Sequence, residues 1–160
     1  MRNVYIACAW RIKMKFIVSL ALLSIAPLVQ AQETANFTGR WRYEKDSGTQ
    51  RLLEIEQKGR SLRVETAVVS SEGTRRLEVR YEIGGPGTTY KGLDGDEFRS
   101  AVRWEGNTLV FETVETEAGK KIPQKTIWML SKDKNMLQVE RASTKSGDTT
   151  HSVITYVRQP

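Results

Sequence analysis

The sequence holds a single cysteine, Cys8, and a single histidine, His151. With no second thiol the chain can close no internal disulfide, the device on which many small exported domains depend. Zinc sites want clusters of His, Cys and carboxylates, and none is visible here. A Ser-His-Asp triad would have to use His151, which lies between Thr150 and Ser152 in a strand-like run and reads as a surface residue. No Gly-x-Ser-x-Gly elbow occurs, and Gly84-Gly85-Pro86-Gly87 opens no helix, so it is not a phosphate-binding loop. Asp94-Gly95-Asp96-Glu97 lacks the full calcium-loop pattern and reads as a solvated turn. The expectation is a protein with no catalytic residues, no cofactor and no metal.

A basic excess is also largely missing once the N-terminus is set aside. Arg11, Lys13 and Lys15 flank an apolar run from Phe16 to Leu28, which ends in the small-residue site Val29-Gln30-Ala31. That order is the pattern of a secretory signal peptide, and Met14-Lys15 could open it unaided. The run is shorter than the roughly 20 apolar residues of a membrane span. Residues 1–31 contain Arg2, Arg11, Lys13 and Lys15 and no acid, so the formal charge of +6 falls to +2 for residues 32–160. The remaining Lys and Arg interleave with Glu and Asp, which is not the basic face of a nucleic-acid binder. The expected products are a signal peptide, 1–31, and one domain, 32–160, periplasmic or secreted, with no stable membrane insertion after processing.

Helical periodicity is absent beyond residue 32. What is there is period-two alternation, which sorts side chains to the two faces of a strand. Leu77, Val79, Tyr81 and Ile83 oppose Arg76, Glu78, Arg80 and Glu82; Gly39, Trp41 and Tyr43 oppose Arg40, Arg42 and Glu44. Similar runs cover Leu62–Val68, Phe98–Trp104 and Leu137–Arg141. Gly-containing turn clusters punctuate them, as at Lys58-Gly59-Arg60, Glu105-Gly106-Asn107 and Ser146-Gly147-Asp148. This pattern predicts an all-β, antiparallel up-and-down β-barrel of about 8–10 strands, because closure removes exposed edges. Charged outer faces argue against a transmembrane barrel, which needs an apolar outer band. Gly84 to Glu97 is expected to be the flexible loop.

Three motifs carry a resemblance. They are Phe37-Thr38-Gly39-Arg40-Trp41, then Trp104-Glu105-Gly106-Asn107-Thr108-Leu109-Val110, then Trp128-Met129-Leu130-Ser131. In this order they resemble the calycin group, lipocalins and fatty-acid-binding proteins, and more closely small exported bacterial lipocalin-like proteins. The resemblance implies that Trp41, set up by Gly39, closes one end of the barrel beneath a late arginine, a favourable cation–π contact. Arg141, oddly placed on an apolar face, is the favoured partner, and Arg158 the other. The departures are equally specific. Only about five residues, Asp46 to Gln50, stand where fatty-acid-binding proteins place a helix pair. Ile154-Thr155-Tyr156 lacks the arginine of their carboxylate-binding Arg-x-Tyr. A fatty-acid function therefore does not follow from the expected fold.

Alternation points Tyr43, Ile55, Val64, Tyr81, Val102, Trp104, Phe111, Trp128, Leu130 and Tyr156 inward. Thr113 and Arg141 join Tyr81 and Tyr156 as polar groups for an enclosed ligand. The candidate ligand-binding set is Tyr43, Tyr81, Trp104, Phe111, Trp128, Arg141 and Tyr156, with Gly39, Trp41 and Arg158 structural. Barrels of this size either fill themselves or hold one small molecule. Two functions follow. One is an exported binder of a small apolar or amphiphilic ligand; the other is a packed interaction or inhibitor barrel acting through loops such as Gly84 to Glu97.

Overall fold

A computed structural model describes residues 34–44 and 48–160; the segment expected to be a signal peptide, 1–31, lies outside the described residues. Ten strands follow in order: β1 (Gly39–Glu44), β2 (Gln50–Lys58), β3 (Ser61–Ser70), β4 (Gly73–Glu82), β5 (Thr88–Lys91), β6 (Glu97–Glu105), β7 (Thr108–Glu117), β8 (Lys120–Leu130), β9 (Met136–Lys145) and β10 (Asp148–Gln159). Five links are two-residue turns, and Ala118-Gly119 and Ser146-Gly147 take positive φ at both positions. That is the twist-matched hairpin turn, in which glycine or a short polar residue relieves the steric cost.

All strands belong to one antiparallel sheet, β4-β3-β2-β1-β10-β9-β8-β7-β6-β5, in which β1 pairs with the last strand. The wall is nearly closed. Across the seam from the end of β4 to β5 and β6 the bonds are few: a parallel bridge of Ile83 to Val102 on β6, Gly84 N–H donating to Val102 O at 2.7 Å, and Thr88 Oγ1 on β5 donating to Arg80 O at 3.0 Å. These all gather toward the C-terminal end of β4, so the seam is stitched at one end of the barrel. The segment expected to be a flexible loop thus contains β5. Alternation was masked there because only four residues pair, Thr88 to Lys91 with Glu97 to Ser100.

The stitched end is packed solid. Phe37, Leu62, Leu109 and Leu137 are fully buried there. Phe37 precedes β1 and crosses the floor, with ring centroids 6.0 Å from Trp104 and 6.1 Å from Trp128. Its N–H donates to Gln57 Oε1 at 3.1 Å, and Gln57 Nε2 donates to Ala35 O at 3.2 Å, which ties the lead-in across the barrel end. All ten residues expected to face inward are buried or half-buried.

The outer face carries charge. Arg63 on β3 lies among Glu54, Glu56, Glu65 and Glu78, at 3.5, 2.9, 3.6 and 3.1 Å. The hydrogen bond from Arg63 holds Glu56 below the usual carboxylate range, and those from Arg80 and Arg63 do the same for Glu78. A depressed native pKa stabilises the fold above the ordinary carboxylate pKa, and that contribution is lost as pH falls through the native value. Arg63→Met should therefore lower stability at neutral pH, and denaturant curves for variant and parent should converge in acid. A gap that persists unchanged at low pH would assign the effect to packing of the arginine stem instead.

Candidate ligand-binding site

Each inward face changes character along its strand. On β2 the sequence of inward residues is Arg51, Leu53, Ile55; on β7 it is Glu115, Thr113, Phe111, Leu109; on β9 it is Arg141, Val139, Leu137. On β8, Gln124 and Thr126 give way to Trp128, and on β10, Ser152 gives way to Ile154 and Tyr156. The antiparallel register sets the polar members at one end and the apolar members against the floor. Above that floor the barrel encloses a cavity of about 500 Å³ that opens at the polar end. This lies within the roughly 300–1,000 Å³ of ligand pockets, but its lining is mixed, with Val79, Phe111 and Trp128 beside Arg51, Gln124 and Arg141, and so more polar than theirs commonly is. A wholly packed interior, one of the two expectations, is not what the chain adopts.

Two polar systems occupy the wall. Arg141 Nη2 donates to Gln124 Oε1 at 2.6 Å, and Gln124 Nε2 donates onward to the Glu115 carboxylate. Gln124 is buried, so its amide is held in place to orient Arg141. Arg51 lies on the same side of the barrel, and burial pushes the Tyr156 phenol up against the opposing pull of that arginine's charge. Arg51 and Arg141 are both exposed, and neither has an ion-pair partner among the described residues, a lack they share with Arg42, Arg75, Arg99 and Arg158, but of these six only Arg51 and Arg141 line the cavity. The second system is made of hydroxyls on the opposite wall. Tyr90 Oη lies 3.2 Å from Ser100 Oγ, which lies 2.8 Å from Thr113 Oγ1. Burial, then the neighbouring Tyr90, push the Tyr81 phenol well up, so it stays protonated.

One further cluster borders the mouth. Asp94, Asp96 and Glu115 each offer a carboxylate oxygen within 4.8 Å of the others. They are the described residues best placed to hold a cation, although Asp94 Oδ1 also caps the turn by accepting from Asp96 N–H at 3.3 Å. His151 is exposed on the outside of β10.

No family model matches the sequence, and no curated protein matches it. Solved structures do. The fold is that of the fatty-acid-binding proteins. A fatty acid transporter, REP1-NXSQ, is similar with a TM-score of 0.60 over 77% of this chain and 96% of its own, at 11% identity. Secretory abundant heat soluble protein 4 from Ramazzottius varieornatus gives 0.59 over 81% and 100%, at 15% identity. Fatty-acid-binding protein 1 of Echinococcus granulosus gives 0.58 over 78% and 98%, also at 15% identity. At such identities the likeness concerns the fold, and sites must be argued from side chains. Among the described residues this fatty-acid-binding-protein fold carries no helix, in keeping with the short β1–β2 link.

Of the seven residues expected to meet a ligand, Tyr81, Phe111, Trp128 and Arg141 line the cavity. Tyr43 and Tyr156 pair with each other at 5.9 Å and pack against the core, outside the lining. Trp104 sits in the floor against Phe37. The favoured partner for Trp41 is corrected: it is Arg158, whose guanidinium carbon lies 4.2 Å from the ring centroid. Register explains this, since Trp41 and Arg158 are direct partners across β1 and β10, whereas Arg141 pairs with Ser152 farther along. Arg158 also donates to Thr38 O at 2.8 Å and Lys134 O at 2.9 Å. Its Nη1 lies 2.5 Å from where a Cβ on Gly39 would stand, and Gly39 has φ +148°, so only glycine fits there. Reasoning from sequence missed Arg51, Gln124, Ser100 and Tyr90. The first three were findable, because they fall in phase with the apolar positions of their strands; Tyr90 sits in the segment taken for a loop.

Proposed function

We propose that this chain is an exported, non-catalytic binder of a small amphiphilic molecule carrying an anionic head. The cavity supports it: an apolar lower wall of Val64, Val79, Phe111, Trp128 and Ile154 beneath a mouth where two arginines lack counter-ions. Burying a chain against such a wall contributes roughly 25 cal/mol per Å² of apolar area. Arg141, held by Gln124, and Arg51 then receive the head by charge-assisted hydrogen bonds. Fatty-acid transport and binding, named for two of the similar structures, are consistent with this chemistry. The order of basic flank, apolar run and small-residue site in residues 1–31 supports export to the periplasm or the medium.

Trp128 supplies the test, because it lines the cavity while Trp41 is stacked beneath Arg158. Titration with dodecanoate should change tryptophan emission saturably, and Trp128→Phe should remove most of that change while leaving binding measurable by calorimetry. No saturable response by either method would reject the reading. Export is checked separately, by the N-terminus of the protein recovered outside the cytoplasm, expected just after Ala31.

A further inference from the structure

The hydroxyls of Tyr81, Tyr90, Ser100 and Thr113 come from four successive strands, β4 to β7, and all four line the cavity. Tyr90, Ser100 and Thr113 are linked oxygen to oxygen at 3.2 and 2.8 Å, and the Tyr81 ring meets that of Tyr90 edge-on with centroids 6.1 Å apart. Either atom of the two measured contacts can be the donor. The three linked hydroxyls carry three hydrogens, and two contacts use two of them. One O–H is left over, at Tyr90, Ser100 or Thr113 according to which oxygens donate. Ser100 is 1% and Thr113 8% exposed, so this donor faces the cavity interior, deeper than the exposed arginines. A buried donor without an acceptor is costly.

From this we infer that the ligand bears, besides its head, a second and neutral oxygen acceptor along its chain: a ketone, hydroxyl or ester carbonyl that takes the spare O–H. The inference rests on the ligand-binding reading above and narrows it, since a plain alkyl chain would leave that donor facing hydrocarbon. The arginines on β2 and β9 hold one end, and the hydroxyls on β4 to β7, across the barrel, read the second oxygen. Such a pairing selects strongly, because a site built to hydrogen-bond an oxygen rejects the analogue lacking it.

The test is competition against the dye 1-anilinonaphthalene-8-sulfonate, with dodecanoate and a positional series of oxododecanoates as competitors. At least one oxo isomer should displace the dye about tenfold better than dodecanoate. In the near-isosteric triple variant Tyr90→Phe/Ser100→Ala/Thr113→Val, which removes all three linked hydroxyls, that preference, read as the ratio of oxo to plain dodecanoate within the variant, should fall to near unity. Equal competition by every isomer in the parent protein, or a preference that survives the triple variant, would overturn the inference and leave the binding reading standing. Failure of all competitors and of dodecanoate alike would reject both. Circular dichroism of the triple variant, with Ser100→Ala as a second variant that keeps the outer two hydroxyls, separates loss of selectivity from loss of fold.

Discussion

Trp41→Ala is expected to cost about 3–5 kcal/mol of folding stability, the range for deleting a buried aromatic side chain. Trp41 is 1% exposed, and its Nε1 donates to Phe37 O at 3.0 Å. Its removal would thus unfasten three things together: the indole volume, the anchor that holds Phe37 over the floor, and the surface on which Arg158 stacks. Arg158 would be left holding the carbonyls of Thr38 and Lys134 with no ring beneath it. Urea unfolding followed by circular dichroism measures the loss without relying on the deleted fluorophore. A change under about 0.5 kcal/mol, typical of a surface substitution, would contradict the closed end described above.

Arg141→Gln is expected to weaken binding of a carboxylate amphiphile by about ten- to a hundredfold, the equivalent of the 1.5–3 kcal/mol typical of a hydrogen bond to a charged group. The alcohol of the same chain length should bind parent and variant alike, since its head needs no counter-charge. The comparison matters because Gln124 and Glu115 continue the bond chain from Arg141. A purely structural role would lower both affinities, whereas a head-binding role lowers only one. Calorimetry with both ligands, repeated at high salt, separates these cases. Arg51→Gln should behave similarly; a variant of either arginine that loses no carboxylate affinity would place the head elsewhere.

Much of the site was legible from residue order, but unevenly. Tyr81 follows directly from alternation with its charged neighbours Arg80 and Glu82, whereas Phe111, between Val110 and Glu112, and Trp128, between Ile127 and Met129, take their phase from the rest of their strands. Arg141 stood out as a cation in phase with Leu137 and Val139, and it does line the cavity. The same oddity drew it toward Trp41, because a lone out-of-place arginine invites the one stacking partner in view. Arg158 carried no such mark, since only pairing with β1 sets it over the indole. Arg51 and Gln124 carried the same mark as Arg141, each a polar residue in phase with the apolar positions of its strand. Tyr90 was hidden because a four-residue strand is too short for period two to show itself.

Which side chains face inward was settled by the residues themselves, because alternation is a local property of an extended backbone and a one-residue slip would turn every apolar group to water. The tertiary structure alone decided that β1 meets β10, which set Arg158 on Trp41, and that the seam between β4 and β5 is stitched at one end. It alone decided that an unfilled volume remains above the floor. That volume is the difference between the space a closed wall encloses and the side chains put into it, and such a difference exists only once the wall has closed.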